Sequence, residues 1–135
     1  MYNLDELEVY NLAQAYSDKI WLIVEKWEAF PKYGLGRQWT DAADSISANI
    51  SEGYGRYFIR ENIKFCFYSR GSILENKNWL RKANNRKLIS SSQHDELIEE
   101  LKLIHKKLNG YIKALRNNLK ISEAVNKPIN KETKK

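Results

Sequence analysis

An antiparallel, up-down four-helix bundle is the all-α fold this sequence predicts, on three observations. Apolar residues recur at three- and four-residue spacing through four long stretches, the signature of helices with one buried face. Only two prolines and six glycines occur in 135 residues, too few for the turns of a many-stranded sheet. The connections between the stretches are short, and four amphipathic helices so joined bury their stripes most simply against one another. The length suits one domain, expected as a bundle over residues 1–119 followed by a flexible basic tail over 120–135.

The first helix is expected from Asn3 to Glu28, with Leu12, Tyr16, Ile20, Ile23 and Trp27 on one face. Phe30 to Gly36 is expected as a turn, because Pro31 disfavours helix at the residue before it and Gly34 and Gly36 supply backbone freedom. The second helix, about Arg37 to Tyr54, carries Trp39, Ala42, Ala43, Ile46, Ile50 and Gly53 on one side. The third, about Phe58 to Ala83, has the stripe Ile59, Ile63, Cys66, Phe67, Ile73, Leu74 and Leu80, and Asn84-Asn85 frays it. A polar linker, Ser90 to Ser92, precedes the fourth helix, about Ser92 to Leu119, on Leu97, Leu101, Ile104, Leu108, Ile112, Leu115 and Leu119. Its acidic first turns and basic later turns follow the helix dipole, which gives that pattern a structural explanation. From Ile121 onward too few apolar groups remain to repay ordering.

The formal net charge of +6 is unevenly spread. Arg56 to Lys87 holds nine basic residues against Glu61 and Glu75. Such an excess attracts RNA or DNA phosphates and equally suits a solvated helix face. The candidate phosphate contacts are Arg56, Arg60, Lys64, Arg81, Lys82, Arg86 and Lys87.

Signatures of phosphate loops, zinc sites, thiol pairs and serine nucleophiles are absent, so no catalytic residue, metal ligand or cofactor is assigned and an enzyme is not expected. His94 and His105 have no partners at ligand spacing, and Cys66 on the apolar stripe is expected as a small buried hydrophobe. A single cysteine and no basic-then-apolar leader suit the cytoplasm, and the longest apolar run, Ile20 to Val24, is far short of a membrane span.

Two features break the simple amphipathic pattern. Arg70 interrupts the third stripe, and a buried guanidinium must be paired, so a structural polar network of Arg70 with Glu52 and Asn49 is expected. Gly71-Ser72 beside it suggests the close approach of another helix. Opposite the core stripe, Tyr57, Phe58, Phe65, Tyr68 and Trp79 form a second apolar face, and Tyr10, Trp21 and Val24 do the same on the first helix. A second face of this kind marks a homo-oligomer interface, for which Tyr10, Trp21, Phe65, Tyr68 and Trp79 are the candidates, while aromatics near cations also stack single-stranded bases.

Phe30-Pro31-Lys32, Tyr33-Gly34-Leu35, Ala42-Ala43-Asp44-Ser45-Ile46, the block from Ala48 to Arg56 (Ala-Asn-Ile-Ser-Glu-Gly-Tyr-Gly-Arg) and Ser69-Arg70-Gly71-Ser72 together form a specific pattern. It resembles the small bacterial four-helix-bundle family encoded in intervening sequences of large-subunit ribosomal RNA genes, sometimes labelled a ribosomal protein. The resemblance covers about residues 5–119 and implies a left-handed up-down bundle, commonly assembled as a ring-shaped homopentamer. A distant branch is similar to the accessory protein of diversity-generating retroelements, a basic pentamer that binds nucleic acid and a reverse transcriptase. Asn49, Glu52, Arg56 and Arg70 match the family pattern, whereas Thr40-Asp41 stands where many relatives have a basic pair. The function expected is therefore a non-enzymatic ring that engages RNA or DNA phosphates. The alternative is a protein-interaction scaffold, such as an accessory subunit of a nucleic-acid-processing enzyme.

Overall fold

The computed structural model describes residues 3–125. Four helices, α1 (Glu8–Val24), α2 (Arg37–Tyr54), α3 (Ile59–Asn85) and α4 (Ser91–Val125), run up and down around one core, and no strand occurs among the described residues. Each helix packs on its neighbours in sequence, and α4 closes the circle on α1, so α1 faces α3 and α2 faces α4 across the diagonals. Tyr16, Ile20, Trp39, Ile46, Ile50, Ile73, Leu80, Leu101, Ile104 and Leu108 are the large side chains that fill the centre.

Local chemistry sets the helix ends. Asn3 and Glu6 form a reciprocal capping box around the single 3-10 turn Leu4–Glu6, and extended backbone at Leu7 separates that turn from α1. Ser90 and Gln93 repeat the device at α4, with Gln93 N–H donating to Ser90 Oγ at 3.1 Å and Ser90 N–H to Gln93 Oε1 at 2.9 Å. The Ser90–Ser92 stretch is thus a helix start rather than a linker. At the end of α3, Lys87 adopts φ 60, and Leu88 N–H reaches back to the Ala83 carbonyl at 2.9 Å, the closing bond of a Schellman motif.

The stretch expected as a turn between α1 and α2 is helical instead. Ala29–Pro31 forms one α turn and Lys32–Gly36 a π turn that runs directly into α2. Pro31 lies in the first turn, where its missing N–H is not required. Neither glycine uses positive φ. Gly36 is needed for space: a Cβ there would stand 2.6 Å from Val24 Cγ1. Val24, expected on an outer face, is accordingly buried.

The core face of α3 takes Ile63, Cys66, Ile73 and Leu80 from the apolar stripe but joins them with Asn62, Ser69, Ser72, Asn76 and Ala83, and alternating four- and three-residue steps run from Asn62 through Cys66, Ser69, Ile73, Asn76 and Leu80 to Ala83. Leu74 is 56% exposed, and Gly71 has no atom within 4 Å of a modest Cβ, so Gly71 serves no helix contact inside the chain. Close approach belongs to Gly53 on α2, where a Cβ would meet Asn62 Oδ1 at 2.7 Å and Phe65 Cβ at 2.9 Å.

The buried polar groups of α3 are satisfied across the bundle. Tyr16 donates to Asn76 Oδ1 at 3.1 Å along the α1–α3 diagonal and accepts from Trp39 Nε1 at 3.3 Å, while Asn76 Nδ2 donates to the Ser72 carbonyl at 2.8 Å. Ser69 donates to the Ile46 carbonyl and Asn62 to the Tyr111 hydroxyl. Cys66 is a fully buried free thiol, and burial pushes its pKa up to about 12. Helix α4 continues through the expected tail boundary as far as Val125, with Ile121 and Val125 exposed; the rest of the expected tail lies outside the described residues.

Candidate nucleic-acid interface

The four seams between adjacent helices carry different chemistry. The α1–α4 seam is closed by opposite charges: Lys19 Nζ reaches Glu100 at 2.6 Å and Glu96 at 3.2 Å, and Lys107 reaches Glu8 at 3.1 Å. Both carboxylates raise the Lys19 pKa, the Glu100 bond most strongly. The α1–α2 seam is closed by hydrogen bonds from Ser17 to Asp44 and from Ser47 to Gln14. On the α2–α3 side, Arg56 pairs with Glu52 at 2.8 Å and Glu61 at 3.6 Å and lies over the Phe65 ring, which meets Tyr68 edge-on.

The α3–α4 seam differs along its middle, where the cations meet no carboxylate; only near the start of α3 is a cation neutralised, Arg60 by Glu123. Arg70 Nη1 donates to Asn109 Oδ1 at 3.0 Å and the guanidinium stacks on Phe67, so the expected network with Glu52 and Asn49 does not form. Glu52 is held by Arg56, and Asn49 Nδ2 donates to the Ser45 carbonyl in its own helix. The physical reason is register: Arg70 sits one step off the inward row, at the rim facing α4, and is only half-buried. A neutral amide therefore suffices as its partner. Arg116 stacks on the same Phe67 ring from α4. His105 lies alongside, its pKa lowered by burial and then by the charges of Lys77 and Arg70.

The seven cations chosen from sequence fall at different places. Arg56, in the connection between α2 and α3, and Arg60, in the first turn of α3, are neutralised, Arg56 by Glu52 and Glu61 and Arg60 by Glu123. Lys64 is exposed on the shaft. Arg81, Lys82, Arg86 and Lys87 gather at the far end, about 32 Å along the helix from Arg60. All four are exposed, and among the described residues they have no carboxylate partner. No Asp or Glu occurs between Glu75 and Asp95, whereas Lys77, Arg81, Lys82, Arg86 and Lys87 all do. Arg86 also lines a hollow with Phe30, Pro31, Gly34, Leu35 and Leu88, and Phe30 is 93% exposed at its lip.

Sequence reasoning missed Lys77, His105 and Arg116 as members of this surface and placed Arg70 inside. The signal was present as spacing: Arg70, Lys77 and Arg81 recur at seven- and four-residue steps on α3, as His105, Asn109 and Arg116 do at four and seven on α4. The candidate oligomer residues are not gathered on one helix face. Trp21 and Tyr68 are exposed, Tyr10, Phe65 and Trp79 are half-buried within the chain, and α1 and α3 occupy opposite corners.

No helix among the described residues is long and apolar enough to cross a membrane, and no three His, Cys, Asp or Glu side chains among them group as metal ligands. Comparison with curated proteins gives no match. A family model described as 23S rRNA-intervening sequence protein matches residues 5–110, most of the helical bundle. The chain belongs to the 23S rRNA-intervening sequence protein family.

Proposed function

We propose that this chain is a non-enzymatic, cytoplasmic protein that assembles with copies of itself, as the homopentamer the family resemblance implies, and binds RNA or DNA phosphates without sequence readout. The observation that carries the reading is the carboxylate-free stretch between Glu75 and Asp95, which puts Arg81, Lys82, Arg86 and Lys87 together in solvent at one end of the bundle. Cations of this kind gain affinity by releasing the counterions condensed on a nucleic acid. Phe30 beside Arg86 adds an aromatic platform on which an unpaired base can stack. Assembly through the Phe65 and Tyr68 face of α3 leaves the basic end and the α3–α4 seam open.

Fluorescence anisotropy with a single-stranded RNA at two salt concentrations tests the reading. Binding is expected at low salt. Replacing Arg81, Lys82, Arg86 and Lys87 by Gln together is expected to flatten the dependence of log K on log salt by about 3, since each lost phosphate contact removes about 0.7. Failure to bind any RNA or DNA at low salt overturns it. Light scattering checks the assembly, which as a pentamer has five times the 15.9 kDa mass of the chain. A protein-interaction scaffold is the second reading, favoured by Tyr57, 90% exposed beside Phe58 at the opposite end of the bundle. A stoichiometric protein partner without nucleic acid would support it.

A further inference from the structure

We propose that the middle of the α3–α4 seam is a phosphate-binding site, in which Arg70 and Arg116 close on one phosphate of a nucleic-acid backbone while Phe67 holds the two guanidiniums in place. The inference deepens the nucleic-acid reading above and rests on it for the source of the phosphate.

Three observations carry it. Arg70 and Arg116, from different helices, lie 4.7 and 5.3 Å from the centre of the same Phe67 ring. Attraction to the ring positions each guanidinium but does nothing to cancel their mutual repulsion, and among the described residues neither meets a carboxylate. Second, Arg70 gives one N–H to Asn109, so most of its five-donor fork stays available to an anionic oxygen. Third, His105 lies within reach of this charge: after burial, Lys77 and then Arg70 from α3 lower its pKa. A lone carboxylate would satisfy two guanidiniums as well as a phosphate does. The row continues along α3 through Lys77 to Arg81, about 16 Å from Arg70, and that length fits a polyanion rather than a single carboxylate.

His105 makes the test direct. A phosphate seated between Arg70 and Arg116 offsets the charge that disfavours the imidazolium, so the His105 pKa must rise when the site fills. The experiment follows the ring proton of His105 by NMR across pH, with and without a decauridylate lacking terminal phosphates. Expected is an upward shift at His105, lost in Arg70→Gln/Arg116→Gln, with affinity about tenfold weaker in that variant. Circular dichroism of the variant separates lost binding from lost folding, and the single variant Arg116→Gln, on an exposed residue, is expected to show the same loss in smaller measure. If the RNA binds by anisotropy and His105 does not move, the seam site is overturned while the nucleic-acid reading stands. If the RNA does not bind at all, the nucleic-acid reading fails. Inorganic phosphate then decides the seam alone: a shift at His105 supports a phosphate site there, and no shift overturns it.

Discussion

Replacing Tyr16 by Phe removes one oxygen from a fully buried site and leaves the ring in place. Its hydroxyl donates to Asn76 and accepts from Trp39, and all three residues are shut off from solvent. Tyr16→Phe therefore orphans two groups at once, the Trp39 N–H and the Asn76 Oδ1. An unsatisfied buried donor or acceptor costs about 1–3 kcal/mol, and the Trp39 bond is long at 3.3 Å, so its share lies at the low end. The expected destabilisation is about 3 kcal/mol. It is measured from urea midpoints by far-UV circular dichroism at fixed protein concentration, because self-association would also raise apparent stability. Tyr57→Phe, on a ring that is 90% exposed, is the matched control and is expected to change nothing. Adding Asn76→Leu to Tyr16→Phe removes one of the two orphans, so the double variant should be less destabilised than the sum of the singles. A Tyr16→Phe protein within about 0.5 kcal/mol of the parent would refute the reasoning, since it would mean that the hydroxyl is not what satisfies Trp39 and Asn76.

Glycine substitutions separate space from flexibility: Gly53→Ala is expected to destabilise by about 1–3 kcal/mol because its Cβ strikes Asn62 and Phe65, whereas Gly71→Ala, facing open solvent, is expected to stabilise by about 0.5–1 kcal/mol. Thermal melts of the two variants should move in opposite directions. Lys87→Gly relieves a left-handed lysine at φ 60 and is expected to raise stability by about 1 kcal/mol in urea melts while weakening RNA binding in the anisotropy assay. The burial that raises the Cys66 pKa to about 12 sets the alkaline limit. An unfolded thiol ionises near pH 8.5 and the folded one resists, so the contribution of Cys66 is complete below that pH and is lost as pH rises towards 12; Cys66→Ala is expected to flatten the fall between pH 9 and 10 in urea melts.

The buried face of α4 was legible because every inward position, from Leu97 to Leu115, is apolar and the three-and-four spacing has no competitor, although the helix runs past the expected end to Val125. Helix α3 was legible in extent and in the apolar positions Ile63, Cys66, Ile73 and Leu80, but not in its buried polar ones. Four of its inward positions are Asn62, Ser69, Ser72 and Asn76, so following the hydrophobic residues drifts the face towards Leu74 and Arg70. Ser72 bonds the Tyr68 carbonyl in its own helix, but Asn62, Ser69 and Asn76 become acceptable inside through partners on other helices: Tyr111, the Ile46 carbonyl and Tyr16. No local pattern reveals them. The same drift placed Arg70 in an internal ion pair. The basic end, by contrast, could be read directly, because a run of nineteen residues without a carboxylate needs no tertiary information. Which cations in the wider set are neutralised did need it: Glu123 meets Arg60 across sixty-three residues.

The basic surface has a cost in helix stability. Lys77 and Arg81, and again Lys82 and Arg86, are like charges four residues apart, an arrangement that disfavours helix by about 0.2–0.5 kcal/mol each. The dipole of α3 compensates Lys82 in the last turn, but its reach ends before Lys77 and does not extend to the left-handed backbone at Lys87. Several other charges have opposite partners: Glu52 stands four residues before Arg56, Glu99 three before Lys102, and Glu96 and Glu100, like charges four apart, share Lys19. Departures from local consistency are what a functional surface produces, because there the side chains answer to a partner rather than to the fold. The buried diagonal from Tyr16 to Asn76 gives those departures a rigid base. It fixes the rotation of α3, and with it the direction in which Arg70, Lys77 and Arg81 point, so a variant that loosens the diagonal should blur the cationic seam before it unfolds the bundle.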